Sequence, residues 1–287
     1  MKTSQFELAL KASYIRFSLG VRRLVSGEDH PRVVRLLKDL ATIYRIQGHH
    51  ERAAATFAQA VAIARRNGRT TAANDVAMQQ VVDGVRRFQN EVFPKERKLF
   101  ERLAFGQHPE VLFITCSDSR IDTYHITQME PGELFVLRNA GNIVPAWTGQ
   151  TSTPAALSGG EEASIEFAIN AIGIKHIIVC GHSHCGAMRG LLDPASLGKM
   201  PAVAAWLQHA RETTDILTAK HAGLTGEALL QAAVEENVLV QLKHLACHPA
   251  VAAKLAAGSI SLHGWVYELE SGTVSYFDEE SGSWRKL

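Results

Sequence analysis

The sequence predicts an α/β fold: a mainly parallel β-sheet flanked by helices, with an antiparallel C-terminal edge and an all-α extension in front. Three observations predict it. Two uninterrupted apolar runs, Val111-Leu112-Phe113-Ile114 and Ile177-Ile178-Val179, are bounded by polar and glycine residues, the pattern of strands buried on both faces. Between and after them, strand-like runs alternate with helical periodicity, as crossover connections require. Finally, residues 259–266 and Thr273–Phe277 flank Glu270-Ser271-Gly272, a hairpin turn that adds the antiparallel edge.

Taken in order, residues 1–70 are helical in pattern, with 3–25 as one helix. Leu40-Ala41, Tyr44, Gly48, Ala53, Phe57 and Ala60 follow a small/large spacing in which alanines admit close helix approach and the two rings fill the gap. Gly48, His49 and His50 mark the turn. This spacing resembles a single tetratricopeptide-like repeat. One repeat cannot bury its own face, so Tyr44 and Phe57 are expected to be covered by neighbouring helices of the assembly. A protein partner for these helices is also admitted. Polar residues 65–74, with Gly68, read as a linker, giving a basic helical extension over 1–70 and a second domain over 71–287. A long helix is expected from about 75 to 103, tolerating Gly84 and broken near Pro94. Then follow strands 111–116 and 133–138, helix 160–173 introduced by Ser158-Gly159-Gly160, strand 176–181, and a helix from near His184. Helices around 200–218 and 226–246 precede the C-terminal hairpin.

The formal net charge of +1 hides an asymmetry. Residues 1–70 hold 13 Lys/Arg against 5 Asp/Glu, while residues 71–287 hold 17 against 24. Such polarity points to segments with different partners, or to a basic face resting on an acidic body. No apolar stretch reaches the ~18 residues that a membrane span needs. Lys11 and Arg16 interrupt any secretory core. The four cysteines form no disulfide framework, so the expected compartment is cytoplasmic, with no nucleic-acid partner.

Two segments carry the chemistry, Cys116-Ser117-Asp118-Ser119-Arg120 and Gly181-His182-Ser183-His184-Cys185-Gly186. Each follows one of the buried strands, and ligand sites in open α/β sheets lie beyond the carboxyl ends of strands. A lone Cys after a strand is ordinarily a small buried hydrophobe. Here two thiols and an imidazole converge on one rim, a ligand set suited to Zn²⁺. Three protein ligands leave a fourth position for water, as in catalytic sites. Asp118 and Arg120 beside them are a costly pair for a core. Cys180 reads as core and His184 as a non-ligand. Cys247, with His244 and His248, ends an ordinary helix and is not read as a second metal site.

From about residue 74 to the C-terminus the chain resembles the β-class carbonic anhydrases. The resemblance implies zinc on Cys116, His182 and Cys185, with Asp118 and Arg120 as a catalytic dyad and Asp118 as a possible fourth ligand in a closed state. It places Gln107, nine residues before the first Cys, in contact with substrate. Phe135, Ala140, Phe167 and Gly186 would shape the pocket, with Phe167 where plant-type members often carry tyrosine. The implied activity is reversible hydration of CO₂ to bicarbonate by attack of zinc-bound hydroxide. The implied assembly is a homodimer or dimer of dimers, with Gln107 and the pocket wall contributed across the interface. Tyr124 and His125 are candidate proton carriers. Carbonyl sulfide or CS₂ hydrolysis on the same scaffold, and a zinc-stabilised scaffold recruiting a partner, stand as alternatives.

Overall fold

The computed structural model describes residues 5–26, 31–66, 76–147 and 159–287. Most of the expected linker, residues 67–74, and Ser158 lie outside them. The chain divides into two compact units, Met1–Phe100 and Glu101–Leu287.

In the first unit, α1 (Gln5–Ser26), α2 (Pro31–Ile46) and α3 (His50–Arg66) pack in sequence order. Val33, Leu37, Leu40 and Ile43 recur at helical spacing on α2 and meet Leu8, Ala12 and Leu19 of α1 and Ala60 and Ile63 of α3. Gly48 takes a positive φ at the α2–α3 turn, a conformation that glycine adopts without strain. Tyr44 packs on this core and accepts a hydrogen bond from Arg16 Nη1 at 3.2 Å. Phe57 differs from the expectation in the single chain. It stands 52% exposed, because Ala60 and Ile63 already supply the α3 face of the core.

The helix from α4 (Val76–Arg87) to α5 (Phe93–Leu103) is not broken at Pro94. It passes through a π turn over Phe88–Val92, where the Phe93 N–H bonds Phe88 O. The proline ring would clash with the carbonyl four residues back, and the wider turn directly upstream accommodates it. Neither helix has a buried residue among those described.

The second unit is built on a six-stranded sheet: β1 (Val111–Cys116), β2 (Leu134–Asn139), β3 (His176–His182), β4 (Ser261–Tyr267), β5 (Val274–Asp278) and β6 (Ser283–Lys286). The order is β2-β1-β3-β4-β5-β6. The first four strands are parallel, and β5 and β6 add the antiparallel edge. Helices α6 (Thr123–Thr127), α7 (Gly160–Phe167), α8 (Gly186–Leu192), α9 (Pro201–Leu207), α10 (Arg211–Lys220), α11 (Gly226–Cys247) and α12 (Pro249–Ala256) connect the strands.

Several boundaries differ from the sequence reading. The predicted helix 160–173 ends in a π turn at Ala168–Ile172, closed by left-handed Gly173. The helix expected near His184 begins at Gly186, because His184 itself takes a positive φ of 54°. Three short elements were not anticipated. They are α6, whose first turn is capped by Asp122 accepting from His125 N at 3.1 Å, α12, which starts on Pro249, and β6.

The main core lies on one face of the sheet. Leu112, Ile114, Ile177 and Val179 meet Ala233, Val234, Val238 and Leu245 of α11 there. A smaller cluster of Phe113, Ile178 and Cys180 with Trp265 occupies the other face. Strand alternation thus buries both sides, as the unbroken apolar runs require. Two glycines let α11 approach closely. A Cβ on Gly181 would stand 2.9 Å from both Val234 Cγ1 and Val238 Cγ2, and one on Gly264 3.0 Å from Leu242 Cδ1. Burial holds the Cys180 thiol in its neutral form, with its pKa pushed up to about 12. Among the described residues no helix is long and apolar enough to cross a membrane. Gly181→Val should overpack this contact and destabilise the fold by on the order of 1–3 kcal/mol. Denaturant melting checks it, and an unchanged midpoint would show that α11 yields freely.

Candidate metal centre

Cys116 ends β1 and His182 ends β3, two neighbouring parallel strands. Cys185 lies three residues past His182, immediately before α8. The ligand atoms of these three residues all lie within 4.8 Å of one another and all three are buried. The chain returns to the cluster because His184 adopts the left-handed region, which costs energy for a non-glycine residue and persists only when its surroundings enforce it. They do so here. Arg120 Nη2 donates to His184 O at 3.3 Å, and the His184 imidazole is bracketed by Glu270 and by Glu227, the latter at 3.3 Å. Arg189 joins Glu227 at 3.1 Å, and Ser183 Oγ donates to Glu270 at 3.2 Å.

The donor set fits a metal ion. His182 Nδ1 lies 2.8 Å from the Ser183 carbonyl; a carbonyl only accepts, so Nδ1 carries the proton. Nε2 is therefore the lone-pair atom, and it is buried without a hydrogen-bond partner. An orphaned lone pair against two thiols is costly without a cation and apt for one, since second-partner bonding of the other ring nitrogen is how ligating histidines are oriented. The Cys116 thiol is pulled down by the Cys185 thiol that donates to it, against the opposing effect of burial, with help from the Gly141 amide. Cys185, the donor of that pair, is pushed up. Gly141 N donates to Cys116 Sγ at 3.4 Å.

Asp118 sits beside the cluster but outside it. Arg120 grips it by Nε to Oδ1 at 2.9 Å and Nη2 to Oδ2 at 2.7 Å, and the Arg120 amide adds a third bond at 3.0 Å. These bonds hold the carboxyl well below the usual carboxylate range despite partial burial. Arg138 fixes the loop underneath, donating to Cys116 O at 3.0 Å and Asp118 O at 2.7 Å.

The loop after β2 is held from α11. Asn237 Nδ2 donates to Gly141 O at 3.0 Å, and Gln241 accepts from Val144 N at 2.8 Å and donates to Asn237 Oδ1 at 2.9 Å. His244 Nδ1 reaches Val144 O at 2.7 Å. Gly141 has φ 86°, and a Cβ there would stand 3.0 Å from the Ala187 Cβ, so loop and α8 are in close contact. Asn237, Gln241 and Arg138 support the site although they lie outside the two ligand-bearing motifs. Asn237 and Gln241 are four apart on the buried side of α11, a spacing that aligns them on one face.

Of the expected pocket residues, Phe135 and Phe167 come within 6.2 Å ring to ring, and Phe167 is exposed in the single chain. Ala140 is exposed, with its carbonyl bound to Trp206 Nε1 at 2.8 Å. Gly186 opens α8 with free space where a Cβ would point. Gln107, Tyr124 and His125 are exposed. Cys247 is exposed while His248 is buried, and His244 is committed to Val144; among the described residues only Cys116, His182 and Cys185 form a cluster of three His, Cys or carboxylate ligands that could hold a metal.

Fold and cluster together define an α/β protein with a Cys-His-Cys metal-binding set at the carboxyl rim of a parallel sheet. The "Carbonic anhydrase" family model matches residues 111–274, and a "Tetratricopeptide repeat" model matches residues 12–66. A carbonic anhydrase of Synechocystis sp. is 48% identical over 202 residues, covering 70% of this chain and 71% of that protein. The solved β-carbonic anhydrase CcaA superposes with a TM-score of 0.69 at 46% identity, over 74% of this chain and 100% of that one. One of two tetrameric β-carbonic anhydrases from Sordaria macrospora gives a TM-score of 0.56 at 28% identity, over 73% and 96%. The chain belongs to the carbonic anhydrase family, in its β-class, and is an enzyme of that family.

Asn237→Leu removes the donor to Gly141 O and strands the Gln241 amide. It should cost about 1–3 kcal/mol of stability and speed metal loss to a chelator. A variant with unchanged melting and unchanged metal retention would show that α11 does not hold the loop.

Proposed function

We propose that this chain catalyses the reversible hydration of CO₂ to bicarbonate with Zn²⁺ held by Cys116, His182 and Cys185. The observation that carries this is the buried Cys-His-Cys set beside an Arg120-gripped Asp118 in a chain of this family. Bound Zn²⁺ would supply a Lewis acid that lets water ionise near neutral pH. The chain's own groups supply the rest. Arg120 keeps Asp118 ionised and turned to itself, which supports the open state and leaves a carboxylate ready to accept a hydrogen bond from the attacking oxygen. That bond aims the oxygen lone pair at the CO₂ carbon. Phe135, Phe167, Ala140 and Gly186 would form the apolar wall for an apolar gas. Gln107 would donate to a substrate oxygen as negative charge grows there.

A complete pocket is read as needing a second copy of the chain, as a homodimer or dimer of dimers. Support comes from apolar residues left exposed in the single chain: Met78, Val81, Val85, Phe88 and Val92 at helical spacing, and Phe105 at 95% exposure. The tetrameric Sordaria relatives agree with such an assembly. We read residues 1–70 as an extension apart from the catalytic domain over 71–287, available to a protein partner. The compartment is read as cytoplasmic, which the four free cysteines support.

Cys116→Ser or Cys185→Ser should lose zinc and activity together. Asp118→Asn or Arg120→Ala should keep zinc yet lower kcat/KM by on the order of 10²-fold. Stopped-flow hydration assays with metal analysis check both, and full zinc occupancy in either serine variant would contradict the ligand set. Sedimentation should show an even-numbered oligomer that Phe88→Asp weakens, whereas a fully active monomer would contradict the shared pocket. A chain beginning at Thr71 should retain zinc and most of its kcat/KM, with lower solubility or a smaller oligomer; lost hydration with zinc retained would mean that residues 1–70 shape the site.

A further inference from the structure

We propose a second transition-metal site at the opposite end of the sheet, formed by His176 and His263 with Ser261 between them. His176 pairs with Ser261 across the parallel β3–β4 ladder, and His263 lies two residues further along β4. The period of two in a strand puts Ser261 and His263 on one face, the face that also carries Trp265. His176 Nδ1 and His263 Nε2 each stand 2.8 Å from Ser261 Oγ. Their rings are 5.8 Å apart between centroids. β3 runs from His176 to His182, so about 20 Å of strand separates this cluster from the Cys116 centre.

In the chain alone the Ser261 hydroxyl bridges the two rings, and a shared cation needs only one of them to change tautomer. A serine hydroxyl has one proton to donate, so it satisfies one ring nitrogen as donor, and the other ring must present an N–H. A change of tautomer in that second ring leaves two lone pairs pointing at one position spanned by two adjacent strands. Imidazole nitrogens suit Cu²⁺, Ni²⁺ and Zn²⁺, in the order that puts Cu²⁺ first. Ser261 Oγ and water complete the shell. Burial and the neighbouring His176 hold His263 below its usual range, in the neutral form that binds metal. Glu279 acts electrostatically on His263, and Glu110, itself paired with Lys175, acts with His176. Glu279 is the carboxylate that raises the local cation concentration, since the Glu110 charge is balanced by Lys175. A cation here would tie β3 to β4 and stabilise the folded chain by mass action.

The test uses the full-length, zinc-loaded protein carrying Cys247→Ser, because that exposed thiol is the other ready trap for copper. Cu²⁺ is titrated by calorimetry and by pulsed electron paramagnetic resonance while zinc content is followed. One Cu²⁺ per chain is expected, with coupling to two imidazole nitrogens, no zinc displaced and a raised melting temperature. His176→Asn and His263→Asn should each weaken binding at least about tenfold, in keeping with loss of a ligand, and leave CO₂ hydration unchanged. Equal Cu²⁺ affinity in wild type and both variants, a one-nitrogen spectrum, or uptake only by displacing zinc would overturn the site.

Discussion

Thr115 pairs with Cys180 where β1 and β3 run side by side, and the chemistry at the rim depends on that register. Because the two strands are parallel, both carboxyl ends finish on the same edge, bringing Cys116 and His182 together. A slip by one residue would turn each side chain to the other face of the sheet. The register is held by what it buries: Leu112, Ile114, Ile177 and Val179 against α11 on one face, Phe113 and Ile178 on the other. Thr115 adds a buried bond from its hydroxyl to Cys180 O at 2.9 Å. Packing of the strands is thus also the positioning of the ligands.

Around that register the site is held by polar groups paired with one another. Asn237 and Gln241 reach from α11 into the loop that offers the Gly141 amide to Cys116. Arg138 ties the Cys116 and Asp118 carbonyls, and Arg120 occupies both oxygens of Asp118. Glu227 and Glu270 brace the strained turn at His184. His182 Nε2 stands out among these groups as a buried lone pair with no protein partner, which is why the centre reads as made for a cation.

Much of this was legible in the residues. Strands 111–116 and 176–181, the antiparallel C-terminal edge and the three-residue cluster follow from apolar runs and motif positions, because buried parallel strands carry unbroken hydrophobic sequence. What escaped is set by tertiary context. Pro94 predicts a break, yet a π turn upstream absorbs it. His184 is an unremarkable residue in sequence, and its left-handed conformation is imposed by Arg120, Glu227 and Glu270 from distant segments. Phe57 has the spacing of a packing residue, but Ala60 and Ile63 fill the face it would have shared. The bond from Asn237 to Gly141 spans 96 residues, and no local pattern announces its partner.

X-ray absorption at the zinc edge of the purified full chain reads the ligand set directly. Two sulfurs at about 2.3 Å and one imidazole nitrogen at about 2.0–2.1 Å, with one further light atom, are expected for Cys116, Cys185 and His182. A shell of four sulfurs, a shell of nitrogen and oxygen alone, or a purified active enzyme without zinc would contradict that centre.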